Sequence, residues 1–163
     1  GESGLRNALI NRHFTITDMS PDYVVVGLDS KVTYDKLATA VLLIRAGATF
    51  IGTNSDSNLP NQRGMVPGAG SLVKLVEYAT QKRPIMIGKP EKIIMAMALK
   101  KSGLNKEQVV MVGDNYNTDI KAAINFGIDS LLVYSGLSTK LEVSKEAIQP
   151  THQVDSLDDW QVE

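Results

Sequence analysis

The 163-residue sequence has no cysteine, a single tryptophan and only 6% aromatic residues. The lack of cysteine excludes a disulfide framework, a cysteine-based zinc site and a thiol nucleophile, although it does not by itself fix a compartment. Charge of one sign is also missing, since 17 Lys and Arg stand against 18 Asp and Glu for a formal net charge of −1. Such a balance leaves no excess of cations for a nucleic acid polymer. The longest apolar runs, Ala40–Ile44 and Ile93–Leu99, fall far short of the roughly 20 residues that cross a bilayer, so no membrane partner is expected. The opening Gly1-Glu2-Ser3-Gly4-Leu5-Arg6 lacks the basic start, apolar middle and small-residue cleavage site of a secretory signal, and the cytoplasm is expected by default. There is no initiator Met, and the chain is expected to be a processed or excised piece.

What is present is the composition of a soluble globular protein, 43% hydrophobic and 21% charged. Short β-rich runs bounded by Gly, Asn or Asp alternate with stretches whose apolar residues recur every three or four positions, the pattern of an α/β fold. Strands are expected at Tyr23–Gly27, Thr49–Gly52, Ile85–Gly88, Val109–Gly113 and Ser130–Tyr134, with a weaker one at His152–Val154. Helices are expected over Tyr34–Ala46, Ser71–Thr80, Pro90–Ser102 and Asp119–Phe126, with Thr33 as an N-cap, Pro90 in the first turn of its helix and Gly47, Gly103 and Gly127 as stops. The polar Gln81-Lys82-Arg83-Pro84 marks the boundary between residues 1–83 and 84–163. Each half is small for an independent core and short of strands for a full α/β sheet.

Three segments could carry chemistry. Val109–Gly113 ends in Gly113-Asp114, and a second acid, Asp119, follows five residues later. In a parallel sheet ligands sit beyond the carboxyl ends of strands, so Asp114 is placed to hold a hard cation such as Mg²⁺ and Asp119 to organise the site behind it. The alternative is that Asp114 ends a turn and Asp119 caps a helix. Upstream, Ile85–Gly88 runs into Lys89-Pro90, where a lysine before a helix start could meet a phosphate or a carboxylate, or could simply be a solvated side chain. Third, Thr53–Pro60 is a polar loop after a strand, followed by Gly64–Ser71, and its small side chains could read substrate hydroxyls or close a structural turn. His13 and His152 are isolated and are read as surface residues.

Together, Tyr23–Asp29, Gly52–Asp56, Pro67–Leu72, Gly88–Glu91 and Met111–Ile120 resemble, in this order and spacing, the haloacid dehalogenase-like phosphatases of the NagD type. The resemblance covers nearly the whole chain. It implies an α/β cap over residues 1–83 and the C-terminal half of a Rossmann-like core over 84–163. Lys89 matches the family's basic residue that steadies the nucleophile and the phosphoryl group, Asp114 the acid that binds Mg²⁺, and Asp119 the second acid supporting that metal. Asn54 and Asp56 fall in the cap segment that meets the substrate's leaving group. The family hydrolyses small phosphorylated metabolites such as sugar phosphates or nucleotides through an aspartyl phosphate.

In one respect the sequence departs from that pattern, because no Asp-x-Asp-Gly pair of nucleophile and general acid occurs in it. Asp22 and Asp29 lie in cap-like segments and do not substitute. The chain alone is therefore expected to be inactive and to represent the C-terminal portion of a longer phosphatase. An unpaired strand edge beside Asp114 is expected to drive homo-oligomerisation, by a swapped element or by edge pairing. A non-catalytic module that binds a phosphorylated ligand, or that dimerises, is the alternative.

Overall fold

β-Branched runs become parallel strands in the computed structural model, which describes residues 1–161. The chain divides into two units, one from Gly1 to Gly88 and one beginning at Lys89. The first contains α1 (Ser3–Ile10), β1 (Tyr23–Val26), α2 (Tyr34–Arg45), β2 (Thr49–Gly52), β3 (Asn58–Asn61), β4 (Gly64–Pro67), α3 (Ala69–Thr80) and β5 (Ile85–Met86). The second contains α4 (Lys92–Ser102), β6 (Val110–Gly113), α5 (Lys121–Phe126), β7 (Asp129–Val133), α6 (Lys140–Val143) and β8 (His152–Val154).

In the first unit β1, β2 and β5 form a parallel sheet in that order, with Val24 opposite Phe50 and Gly52 opposite Met86. Alternation along β1 sends Val24 and Val26 into a core with Ile44, Phe50, Val73 and Val76, and leaves Tyr23 exposed. The Thr33 hydroxyl caps α2 by accepting from the Lys36 N–H at 3.3 Å. Because β5 hydrogen-bonds to β2, the units part after Gly88 rather than at the polar stretch ending in Pro84. The segment after β2, read from sequence as loop, folds into an antiparallel hairpin of β3 and β4 joined through Gln62 and Arg63. Its residues are almost all exposed, so no buried alternation marked it.

The second unit's sheet is also parallel, in the order β6-β7-β8. Tyr116, Ile120, Leu132 and Val143 form its buried cluster, with Ile124 and Tyr134 packed against it. Among the described residues β6 pairs on one side only, and its Val110 and Val112 are 41% and 43% exposed. Gly103 and Gly127, both with positive φ, end α4 and α5. Two helix starts differ from expectation. Pro90 precedes its helix, which begins at Lys92 behind Glu91, and the Lys89–Pro90 bond is cis. Asp119 does not open an α-helix; it lies in a π-helical turn, Tyr116–Ile120, because the Asn115 carbonyl accepts from the N–H groups of Thr118, Asp119 and Ile120. No helix among the described residues is long and apolar enough to cross a membrane.

Just beyond β1, Asp29 is buried and accepts from Lys36 Nζ at 3.0 Å and from the Lys31 N–H at 3.0 Å. Burial alone would raise its pKa, but the Lys36 hydrogen bond and the Lys31 N–H outweigh it and hold the carboxyl below its ordinary value. A depressed carboxyl contributes stability that is complete above its unfolded-state pKa and disappears as pH falls through the folded value. Thermal unfolding should therefore show the native chain losing stability as pH drops below about 4. Asp29→Asn should lower Tm at neutral pH and flatten that acid dependence; an unchanged acid limb would show that Asp29 does not contribute to it.

Candidate active site

At the carboxyl end of β6 the chain must turn sharply, and it does so with Gly113 against a carboxylate. A Cβ on Gly113 would overlap the Cβ and Cγ of Asp119, so only glycine lets that side chain lie against the strand end. Asp119 is 5% exposed, and both of its oxygens are engaged. Oδ1 accepts from Lys89 Nζ at 2.5 Å and Oδ2 from the Asn115 N–H at 3.2 Å. Lys89 itself is 44% exposed, so its ammonium neutralises a buried carboxylate while keeping donors free for an incoming anion.

Asp114 is held differently. Its Oδ2 accepts from the Leu137 N–H at 3.0 Å and its main-chain carbonyl from the Ser138 N–H at 3.0 Å. Oδ1 makes no hydrogen bond among the described residues and is the oxygen left to coordinate a cation. A Cβ at Gly136 would overlap the Asp114 carboxyl group, so the loop after β7 approaches closely only because that residue is glycine.

A hard cation such as Mg²⁺ takes one or two carboxylates and fills its remaining positions with water and phosphate oxygens. Among the described residues no three His, Cys, Asp or Glu side chains converge. One free carboxylate oxygen on Asp114 fits that modest requirement, with Asp119 already committed to Lys89 and Asn115. The structure thus brings Lys89 and Asp119 together beside Asp114 in the second unit.

Asn54 and Asp56 lie in the first unit, beyond β2. Asn54 Oδ1 accepts from the Asp56 N–H at 3.2 Å, and the Asp56 carbonyl accepts from the Gly70 N–H at 2.9 Å, an arrangement that shapes the loop and leaves the Asp56 side chain exposed. His13 and His152 are both exposed. Sequence reasoning missed Gly136, Leu137 and Ser138. The only signal there was a Ser-Gly-x-Ser stretch following an apolar run.

Residues 86–160 match a family model described as HAD-hydrolase-like. Over 160 residues the chain is 44% identical to the 5'-nucleotidase YutF of Bacillus subtilis and 46% identical to the acid sugar phosphatase of Staphylococcus saprophyticus. In both cases the match covers 98% of this chain and 62% of the relative, so the chain spans less than two thirds of the length of these curated relatives. The crystal structure of a double mutant of the thermostable NPPase from Geobacillus stearothermophilus superposes with a TM-score of 0.94 at 48% identity, over 99% of this chain and 64% of that one. The 4-nitrophenylphosphatase from Thermotoga maritima gives 0.88 at 34% identity, over 96% of this chain and 60% of that one.

The tight contact at Gly113 is open to direct measurement. Gly113→Ala should lower the unfolding free energy in urea by about 1–3 kcal/mol, as expected when an added methyl must displace a buried neighbour. A variant as stable as the parent would show that Asp119 has room to withdraw.

Proposed function

With residues 86–160 a HAD-like hydrolase segment, we propose that this chain supplies the cap and the C-terminal part of the core of a cytoplasmic, Mg²⁺-dependent phosphatase of small phosphorylated metabolites such as sugar phosphates or nucleotides. The observation that carries this reading is the Lys89–Asp119 pair at 2.5 Å set beside an Asp114 with one free carboxylate oxygen. The printed activities of the relatives, nucleotidase and sugar phosphatase, supply its substrate class.

In the proposed reaction Lys89 approaches a non-bridging phosphoryl oxygen, with Asp119 fixing the ammonium from behind. Mg²⁺ bound at Asp114 would neutralise charge on the transferring group. Asn54 and Asp56, on an exposed loop of the first unit, are the proposed residues for recognising the leaving group. An aspartate attacks phosphorus, the alcohol departs with a proton from a general acid, and water then cleaves the aspartyl phosphate to release inorganic phosphate. Neither that nucleophile nor that acid is among the 163 residues in an Asp-x-Asp-Gly setting, so the proposal assigns both to a complementing segment. The one-sided pairing of β6, with Val110 and Val112 exposed, offers such a segment a strand to pair with.

Mixing the chain with a separately expressed segment carrying Asp-x-Asp-Gly should restore hydrolysis of p-nitrophenyl phosphate. Lys89→Met in that complex should reduce kcat by about 100-fold or more, the scale on which removal of a charge-stabilising donor acts. A folded, soluble complex that binds phosphate esters without hydrolysing them would instead favour the binding-module alternative. Without the segment, the chain should self-associate through β6 and give a light-scattering mass above its 17.7 kDa. A clean monomer with a cooperative unfolding transition would contradict this.

A further inference from the structure

Three neighbouring residues with no part in the proposed chemistry hold Asp114 in place. From the loop after β7, the Leu137 N–H donates to Asp114 Oδ2 and the Ser138 N–H to the Asp114 carbonyl, both at 3.0 Å. The Ser138 hydroxyl accepts from the Tyr116 N–H at 2.8 Å. Ser138 therefore bonds both to Asp114 and to the first residue of the π-helical turn that carries Asp119. Its own loop is anchored on the far side. Thr139 and Glu142 exchange hydrogen bonds at the start of α6, Val143 packs in the buried cluster with Tyr116, and the Tyr116 hydroxyl donates to the Ile148 carbonyl at 2.6 Å. Gly136 allows the approach, since a side chain there would collide with the Asp114 carboxyl.

A hydrogen bond that served only to cap α6 would stop at that helix, and Thr139 already performs the capping. An aspartate at a strand end is otherwise free to choose among χ1 wells and across a broad χ2 range. Engaging Oδ2 through the Leu137 N–H removes that freedom and leaves Oδ1, without a hydrogen bond among the described residues, to coordinate a cation.

We propose that Ser138 is a positioning residue: its N–H on the Asp114 carbonyl and its hydroxyl on the Tyr116 N–H hold the loop whose Leu137 N–H engages Oδ2, and so orient the Asp114 carboxylate for a divalent cation bound through Oδ1 alone. The proposal rests on the reading that Asp114 is the cation ligand, and it adds how that ligand is oriented and by which residue.

Mn²⁺ titration of the 163-residue chain, followed by electron paramagnetic resonance, tests both and keeps them apart. Asp114→Asn should abolish binding. Ser138→Ala should weaken Mn²⁺ about tenfold with the site number unchanged, the lower end of what loss of a ligand-orienting partner costs. Ser138→Thr keeps the hydroxyl and should restore most of the affinity. Amide hydrogen exchange supplies a readout that needs no metal: Ser138→Ala should speed exchange at Leu137 and Tyr116 while leaving Leu131 and Leu132 protected. Native affinity in Ser138→Ala, with Asp114→Asn inactive in binding, would overturn the positioning role. Absence of Mn²⁺ binding by the unmodified chain would overturn the cation assignment, and exchange would then decide, unchanged rates at Leu137 and Tyr116 counting against the clamp.

Discussion

A carboxylate 5% exposed, with a lysine at 2.5 Å, is the constraint around which the second unit is arranged. Burying Asp119 without Lys89 would leave a buried charge held by one main-chain hydrogen bond, at a cost of about 1–2 kcal/mol, less than for a fully buried pair because the lysine is partly in water. Everything nearby accommodates that pair. Gly113 gives it space, the Asn115 N–H satisfies its second oxygen, and Ile120, the next residue, is fully buried and fixes the backbone from the opposite side. The same pair keeps an ammonium at the carboxyl end of a parallel strand, where α/β folds collect their ligands.

Each unit builds a three-stranded parallel sheet, and each leaves some apolar surface open. In the second unit Val110 and Val112 on β6 and Ile93, Ile94 and Met97 on α4 are all more than a third exposed. Parallel sheets are normally covered on both faces and paired at their edges, so this exposure fits the proposed place of the chain beside another strand-bearing segment. It is also the physical reason why the isolated halves looked short of strands when counted from sequence alone.

Much of the architecture was legible. Val24–Val26, Val110–Val112 and Leu131–Val133 announced their strands by β-branched or leucine runs, and Gly103 and Gly127 marked helix ends through the left-handed conformation they adopt. The β3–β4 hairpin was not legible because Asn58, Pro60 and Asn61 carry no strand signal and almost nothing in it is buried. The start of α4 was misplaced because Pro90 lies before the helix, which opens at Lys92 behind an extended Glu91. Of the candidate site, the acids and the lysine could be picked out by type and spacing. The partners that orient them could not: the Leu137, Ser138 and Asn115 donors are main-chain N–H groups, which every residue but proline possesses.

The π-helical turn at Tyr116–Ile120 accommodates one residue more than an α-helical turn would. On a helix wheel each residue advances about 100°, so one extra position rotates every side chain after it by that angle relative to an uninterrupted α-helix. In this angular register Asp119 faces Lys89 while Ile120, one step on, faces the fully buried cluster. Losing a single residue from this turn would place Ile120 at the angle Asp119 now holds against Lys89 and turn the carboxylate away from the ammonium. The length of the segment between Asp114 and α5 is therefore as much a determinant of the site as the identity of the residues within it.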